Sequence, residues 1–172
     1  ALARSQLHGL DAWNTRGRAH AHRLSAALSK LPGVHPPEVF DDRVEVVHKY
    51  RVRLDATRVG IDASPKRVRD AVRKALVAEG LEVVLWQTRP VPGQRLFQEK
   101  VGYGHGVPWD RGAPVSYELS QYPETVKLLD SSLLLFSQSC PILSQSDEVV
   151  DAYAEAFAKV WGRLDAVLAA TA

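Results

Sequence analysis

The sequence has a single cysteine, Cys140, and no long apolar segment. A lone cysteine excludes an internal disulfide, which fits the reducing cytosol. A bilayer-spanning helix needs roughly 20 consecutive apolar residues, and no run in this sequence approaches that length. The basic, alanine-rich start also lacks the uninterrupted apolar core of a signal peptide. We therefore expect a cytoplasmic protein with no membrane-spanning segment.

The sequence also lacks an excess of either charge. Its 22 Lys and Arg and 20 Asp and Glu residues leave a formal charge of +2, and the basic residues are scattered. Nucleic-acid-binding domains usually concentrate basic residues on one face, so we expect no nucleic-acid partner. We expect no metal site either, because His8, His35 and His105 have no Cys, His or carboxylate at ligand spacing.

What is present is the composition of an ordinary folded domain, with 45% apolar and 24% charged residues. Its centre, residues 34–87, predicts a strand, a helix and a second strand. Apolar and polar residues alternate from Val44 to Leu54 with the period of a half-buried strand. A helix is predicted from the cap Ser64-Pro65 to a stop at Gly80. The nearly continuous apolar run from Leu81 to Trp86 then predicts a buried strand.

The flanking segments complete one domain of residues 1–172. Residues 1–33 predict a leading helix that Pro32-Gly33 ends. Residues 123–172 predict a short helix, a short strand and a C-terminal helix with a wide apolar face. Residues 88–122 are different, because they are rich in Pro and Gly and have no sustained period. Such a long irregular stretch is usually functional or held against a partner.

A few side chains could contact a ligand, and each also has a purely structural interpretation. His48 lies on the apolar face of the predicted first strand, where burial disfavours the charged ring. It is either a neutral, hydrogen-bonded core or interface residue or a substrate contact. Trp86 could stack on a flat ligand or close the core. Cys140 has no identifiable base nearby, so a small buried residue is favoured over a nucleophile.

Three segments resemble, in the correct order, motifs of one family. Residues 7–18 (Leu-His-Gly-Leu-Asp-Ala-Trp-Asn, followed by two arginines) and residues 31–34 (Leu-Pro-Gly-Val) resemble a helix of the DegT/DnrJ/StrS family of PLP-dependent sugar aminotransferases. Residues 47–54 (Val-His-Lys-Tyr-Arg-Val-Arg-Leu) are similar to a strand of that family, and residues 68–83 to the helix and strand that follow it. The series covers nearly the whole chain.

The resemblance implies the fold class, which is α/β: the small C-terminal domain of a fold-type I PLP aminotransferase. A small sheet would pack against a long N-terminal helix, a crossover helix and a long C-terminal helix. In that family a larger N-terminal domain holds PLP, the lysine that binds it, the carboxylate on its ring nitrogen and the phosphate-binding residues. The resemblance therefore implies PLP in the parent protein, and no catalytic, cofactor-binding or metal-binding residue in this chain. None of its seven lysines matches the family's Schiff-base lysine; these are Lys30, Lys49, Lys66, Lys74, Lys100, Lys127 and Lys159.

The helical pattern already runs at the first residue, with no capping residue before Leu2. We therefore expect a piece of a longer enzyme: an isolated C-terminal domain, a proteolytic remnant or one half of a split enzyme. Its partner would be the missing N-terminal PLP-binding domain or a partner chain that carries it. The resemblance also implies that the parent is a homo-oligomer.

The leading hypothesis is a domain of an aminotransferase that acts on a keto-sugar, a cyclitol or a related natural-product intermediate. The domain would supply substrate-side and dimer-side surface without being catalytic alone. Two departures from the family, at residues 89–92 and 132–136, fall near its substrate region and put the usual nucleotide-sugar substrate in doubt. We expect the substrate entrance to be lined by His48, Trp86, Gln94 and Phe97.

Two other functions compete with this hypothesis. The chain could be a free-standing module that kept the fold, lost the chemistry and binds or regulates another enzyme. Its surface would then have to be polar or occupied, because soluble monomers seldom expose more than a few hundred Å² of contiguous apolar surface. A small basic nucleic-acid-binding domain would show affinity that falls steeply with salt, and nothing in the sequence favours it.

Overall fold

The structure, a computed structural model, describes residues 2–104, 106–137 and 139–171. The chain divides into a first unit, residues 1–85 with 131–172, and a second unit, residues 86–130. The strands are β1 (Val34–His35), β2 (Tyr50–Leu54), β3 (Val83–Val84) and β4 (Ser132–Leu135). The helices are α1 (Leu2–Leu7), α2 (Leu10–Leu28), α3 (Pro65–Ala78), α4 (Arg95–Glu99), α5 (Pro123–Ser131), α6 (Asp147–Trp161) and α7 (Leu164–Ala169).

The sheet of the first unit has the order β1-β2-β4-β3 among the described residues, and each neighbouring pair is antiparallel. Since β2 and β3 both run against β4, they are parallel to each other. The helix α3 connects them as the predicted crossover, and β4 lies between them. All four residues of β4 are buried, as expected for the inner strand of a small sheet covered by helices.

Helices cover this sheet and provide most of the core. The helix α2 packs against α6, and α3 packs against α6, α7 and the strands. Ser25 on α2 lies 2.7 Å from the Tyr50 hydroxyl on β2, and burial raises the pKa of Tyr50 to about 12. The small sheet covered by helices confirms the fold class that was predicted from the resemblance. The completely buried core includes Leu24, Leu28, Val52, Val72, Leu76, Leu133, Leu135, Phe136, Val150 and Phe157.

A buried histidine joins the leading helix to the start of α6. The Nδ1 atom of His20 lies 2.8 Å from the carbonyl oxygen of Ile142, and its Nε2 atom lies 3.1 Å from Asp147 Oδ1. On the adjacent turn, Arg23 donates from Nη1 to Asp147 and from Nε and Nη2 to Asp151. The side chains of α2 thus satisfy polar groups at the N-terminal end of α6, where carboxylates also interact favourably with the helix dipole.

The predicted helices are confirmed, although two of them are divided. Ser64 caps α3 by accepting a hydrogen bond from the Arg67 amide at 3.4 Å, and Pro65 is its first residue. The leading helix is not continuous, because the chain tightens at Gly9, whose amide bonds to the Gln6 carbonyl at 3.0 Å. The C-terminal helix is interrupted in the same way between α6 and α7.

Both predicted strands of the central unit are shorter in the structure. The first was expected from Val44 to Leu54, but only Tyr50–Leu54 forms a strand. The side chains of Val44 and Val46 are 78% and 67% exposed, so the alternation before Tyr50 does not mark a buried face. The short β1 and β4 pair only with residues of β2 from Tyr50 onward. The second strand is limited in the same way to two residues that pair with β4.

None of the helices within the described ranges has the length and apolar character needed to cross a bilayer.

The turn that leads into β1 requires a glycine, and this can be tested. Gly33 has a φ of +81°, and a Cβ there would overlap the Asp55 carbonyl oxygen, while the Asp55 amide donates to the Gly33 carbonyl at 2.7 Å. We expect Gly33→Ala to lower the free energy of unfolding by about 3 kcal/mol or more, as measured by denaturant titration.

Gly60 is the matched control for this substitution. Its φ is +77°, but nothing lies within 4 Å of the position of a Cβ. Gly60→Ala should therefore show only the cost of the left-handed backbone, about 1–2 kcal/mol. Equal losses for the two variants would contradict the steric role of Gly33.

Hydrogen bonds to Glu82 make a second prediction, about acid stability. The Ser137 hydroxyl donates a short hydrogen bond to Glu82 Oε1, and the Ser139 hydroxyl donates to the same atom at 2.5 Å. These bonds hold the pKa of Glu82 below its ordinary value of 4.5. The resulting stabilisation is present above the pKa of the unfolded state and is lost as the pH falls through the folded-state pKa.

We therefore expect the double variant Ser137→Ala, Ser139→Ala to lose less stability than the unsubstituted chain when the pH is lowered from 6 to 3. Denaturant titrations across this range measure the difference. Glu82→Gln removes the titrating group and should reduce the same pH-dependent part of the free energy of unfolding. An unchanged acid dependence in both variants would show that these hydrogen bonds do not set the pKa.

Candidate functional site

Two of the four predicted site residues, Trp86 and Gln94, line one cleft of the second unit. The Trp86 side chain is 51% exposed, so the indole does not close the core. The full lining of this cleft is Trp86, Gln87, Thr88, Arg89, Gln94 and Arg95.

A proline-flanked turn shapes the cleft. Residues Val91–Gly93 form a single 3-10 turn, and Gln94 follows it at the N-cap position of α4, without a side-chain capping hydrogen bond. Proline is well suited to such a turn because its φ is already fixed near the required value. The Gln98 side chain on α4 then donates to the carbonyl oxygens of Pro92 at 2.7 Å and Tyr117 at 2.9 Å. Gln98 therefore ties the turn both to α4 and to the segment that contains Tyr117.

Gly93 allows an arginine to pass close to this turn. A Cβ at position 93 would lie 2.9 Å from Arg89 Cγ and 2.7 Å from Leu119 Cδ2. Both distances are shorter than side-chain packing tolerates, so the glycine leaves the space that the aliphatic part of Arg89 occupies. The Nη1 atom of Arg89 donates to the Gly93 carbonyl at 3.4 Å.

The two arginines of the cleft differ in their electrostatic partners. Arg95 forms an ion pair with Glu99, with 2.7 Å between Nε and Oε1. Within the described part of the chain, no carboxylate lies within ion-pair distance of Arg89. The cleft therefore combines one guanidinium without a carboxylate partner in the described chain, two carboxamides and a half-exposed indole. This set of groups can bind an anion and the flat face of a ring.

Phe97 lies in a different part of the second unit. It is half-buried, and its ring centroid is 5.3 Å from that of Tyr117 and 6.2 Å from that of Trp109. The Trp109 indole N–H donates to the Tyr117 hydroxyl at 3.0 Å. These rings form the small core of the unit. Phe97 also borders a second groove, between α4 and residues 114–118, and the structure does not bring it into the cleft of Trp86.

His48 is exposed, and it precedes β2 in a bend of the first unit. The prediction that it lies on the buried face of a strand is wrong, because the strand begins only at Tyr50. The interpretation of His48 as a buried core histidine is therefore wrong as well. Trp86 and Gln94 are thus the predicted site residues that the structure brings together.

PLP binding would need an enclosed site with a lysine and a carboxylate for the ring nitrogen, and the lysines within the described residues do not fit such a site. None of the seven lysines is buried. Lys49 is the best candidate, since partial burial lowers the pKa of its ammonium and Glu45 lines the same groove. That groove has a volume of only ≈ 100 Å³, however, whereas ligand pockets usually measure about 300–1,000 Å³.

The other candidate chemistries are not supported by the geometry. Burial raises the pKa of the Cys140 thiol, which is the opposite of what a nucleophilic cysteine needs. Among the residues that the structure describes, no three His, Cys, Asp or Glu side chains are grouped to hold a metal ion. His105, which the sequence analysis considered, lies outside the described residues.

Sequence reasoning missed the arginines of the cleft. Arg89 and Arg95 flank a Pro-Val-Pro-Gly turn, shortly after the predicted strand that ends in Trp86. Two cations on either side of a tight turn, next to an aromatic residue, are a signal that could have been used. The sequence does not show which of the two arginines forms an ion pair, because Arg95 and Glu99 meet only if residues 95–99 are helical.

Comparison with solved structures shows where this fold occurs. The chain is similar to 3-amino-5-hydroxybenzoic acid (AHBA) synthase, with a TM-score of 0.67, 22% identity and coverage of 93% of this chain and 37% of the other. It is also similar to a DegT DnrJ EryC1 StrS aminotransferase from Brucella abortus (TM-score 0.64, 18% identity, 92% and 34%). For DesV from S. venezuelae the values are a TM-score of 0.61, 24% identity, and 91% and 35% coverage.

In each of these cases the chain spans about a third of the length of the structure that it matches. No curated protein matches the chain significantly. The model of the DegT/DnrJ/EryC1/StrS aminotransferase family matches residues 1–109. That match covers the leading helix, the strand-helix-strand centre and the cleft of Trp86 and Gln94. More than half of the sequence thus fits one family, and the chain belongs to the DegT/DnrJ/EryC1/StrS aminotransferases.

Proposed function

We propose that this chain is the substrate-side domain of a PLP-dependent aminotransferase. The parent enzyme would move an amino group from an amino acid to the keto group of a sugar, a cyclitol or a related natural-product intermediate. The observation that carries the proposal is the family match over residues 1–109. It is supported by a fold that corresponds to about a third of sugar and natural-product aminotransferases.

We further propose that the chain is not catalytic alone. PLP carries the amino group in such enzymes. Two observations support a cofactor site elsewhere: none of the seven lysines is buried, and the groove beside Lys49 has a volume of only ≈ 100 Å³. The cofactor would therefore be bound by the N-terminal domain of the parent or by a partner chain that carries that domain. In this arrangement the present chain binds and orients the substrate.

The substrate would meet the cleft of the second unit. Trp86 and Gln94 share that cleft, which supports their proposed place at the substrate entrance. For His48 and Phe97 the same role stays a prediction from the sequence. The cleft offers the parent enzyme positioning groups, and orientation of this kind accounts for a large part of enzymatic rate enhancement.

Exposed apolar side chains support the proposed partner. In the first unit, the segment that precedes β2 exposes Val39, Phe40, Val44 and Val46. The start of the leading helix exposes Leu2, Leu7, Leu10 and Trp13. Apolar side chains in such numbers are typical of surfaces that another domain or subunit covers. We propose that the PLP-binding domain, or a second subunit of a homo-oligomeric parent, covers them.

The alternative is a free-standing, non-catalytic module that binds or regulates another enzyme. The lack of a fitting PLP site is common to both proposals, but the exposed apolar side chains count against a monomeric module. Under either proposal we place the protein in the cytoplasm, as its single cysteine suggests.

The location of the cofactor site can be tested by chemical trapping. Borohydride reduction in the presence of one equivalent of PLP should leave this chain unlabelled by intact mass. When the domain or partner chain that completes the proposed parent enzyme is present, the same treatment should label one lysine outside these 172 residues, located by peptide mapping. Stoichiometric label on Lys49, abolished by Lys49→Ala, would overturn the proposal that this chain lacks the cofactor site.

The proposed interface makes a separate prediction. The isolated chain should self-associate through its exposed apolar residues, because no partner covers them. The double variant Val44→Thr, Val46→Thr keeps the shape of both side chains and should shift the sedimentation profile toward monomer. Val77→Thr, at an exposed valine on α3, is the matched control and should change nothing. Equal profiles for all three chains would contradict an interface at this segment.

A further inference from the structure

We propose that a groove between α3 and α7 of the first unit is a docking site for an acidic amphipathic helix of a partner protein. The groove has a volume of ≈ 330 Å³. None of its lining residues belongs to the cleft of Trp86 and Gln94, so the inference does not depend on the proposed function. The lining consists of Lys74, Ala75, Ala78, Arg163, Ala166, Val167, Ala170 and Thr171.

The first argument is the apolar floor of the groove. Leu164 and Leu168 of α7 are buried in the core, whereas Ala166 and Ala170 of the same helix are exposed. The half-buried Val167 lies between them, and two alanines of α3 belong to the opposite wall. Short apolar side chains allow the ridge of another helix to approach closely, and burial of their surface would favour association.

The second argument is the cation on each wall of the groove. Lys74 belongs to the α3 wall and Arg163 to the α7 wall. Among the residues that the structure describes, neither has a carboxylate within ion-pair distance. Asp165, the one carboxylate of α7, does not line the groove. A partner with acidic residues on both sides of an apolar ridge would therefore meet a cation on each side.

The third argument is the charge of the surrounding surface. The helix α3 has five cations and one carboxylate, Asp70, and Asp70 pairs with Arg69. A positive surface of this kind attracts an acidic partner during diffusional encounter and disfavours a basic one. Four cations of α3 are exposed and have no ion-pair partner within the described ranges, and these are Lys66, Arg67, Arg73 and Lys74.

The shape and the polar groups of the groove favour a helix over a small ligand. The α7 wall runs from Arg163 to Thr171, on the order of 12 Å at the rise of an α-helix. A helix laid into an apolar groove through residues i, i+3, i+4 and i+7 is a recurring mode of recognition. A small ligand would need polar groups that fix its orientation, but the Thr171 hydroxyl already donates to the Val167 carbonyl at 2.9 Å.

Titration of this chain with a synthetic helix tests the proposal. The probe is a capped peptide of about 18 residues, with Leu on one helical face and Glu and Ala elsewhere. The comparison peptide has Lys in place of every Glu and keeps the Leu face. We expect the Glu peptide to bind saturably and more tightly than the Lys peptide. In ¹⁵N NMR spectra it should shift the amide signals of Ala75, Ala78, Ala166 and Ala170.

A carboxylate placed in the groove should block the Glu peptide. Ala166→Glu should weaken its binding about tenfold or more, because like charges would then face each other in the contact. Ala169→Glu is the matched control, since Ala169 is an exposed residue of the same helix that does not line the groove. It should bind the Glu peptide nearly as well as the unsubstituted chain. Circular dichroism checks that both variants remain folded.

Reversal of the two wall charges separates charge from shape. The double variant Lys74→Glu, Arg163→Glu keeps the apolar floor and should bind the Lys peptide in preference to the Glu peptide. The double variant Lys66→Glu, Arg67→Glu makes the same change in net charge at residues of α3 that do not line the groove. It should keep the preference for the Glu peptide.

Four results would overturn the proposal. The Glu peptide fails to bind saturably, the two peptides bind the unsubstituted chain equally well, or Ala166→Glu and Ala169→Glu bind the Glu peptide equally. The fourth is a shift of the chain alone toward monomer, in sedimentation, with Ala166→Glu but not with Ala169→Glu, because a second copy would then occupy the groove. None of these measurements involves PLP, so their failure and that of the lysine-trapping experiment are distinguishable.

Discussion

The pairing of β4 with both β2 and β3 is the interaction on which the first unit depends. The crossover strands do not touch each other, so the two ends of the strand-helix-strand segment are joined only through a strand that comes about 50 residues after β3 in the chain. Such a long-range pairing carries a loop-closure cost, which grows slowly with the length of the loop. This is why the second unit can be inserted between β3 and β4 without preventing the sheet from forming. Leu133 and Leu135 offset that cost because both are completely buried on one face of the sheet.

The inserted unit has a separate and smaller core. Its three aromatic rings pack together, and Gln98 links α4 to two separate carbonyl oxygens. A helix as short as α4 would not be stable alone, so the cleft depends on these contacts for its shape. Gly93 and Arg89 are related in a similar way. Because Gly93 has no side chain, the aliphatic stem of Arg89 can pass close to the turn.

In the proposed parent enzyme, this domain would take only part of the catalytic role. PLP would supply the chemistry of amino transfer, and the surfaces around it would supply orientation and recognition. The present chain offers a cleft with polar and aromatic groups, and it leaves apolar side chains uncovered elsewhere on its first unit. These two surfaces serve different purposes. The cleft suits a small polar molecule, and the uncovered apolar side chains suit a protein partner.

The sequence by itself determined the helices, the α/β class and the family. Apolar spacing and the cap at Ser64-Pro65 are local signals, and α3 forms where they predict it. The tertiary structure decided strand pairing, burial and ion pairs, which local sequence patterns cannot specify. The alternation from Val44 to Val46 predicted a strand, but a strand exists only where a neighbour supplies hydrogen bonds, and no strand pairs with those residues. His48 is consequently exposed, and the same reason shortens β3. In the cleft, composition showed Arg89 and Arg95 as equals, and only folding paired Arg95 with Glu99 and left Arg89 without a carboxylate in the described chain. Burial and charge compensation depend on which distant residues meet, and that is a property of the folded chain.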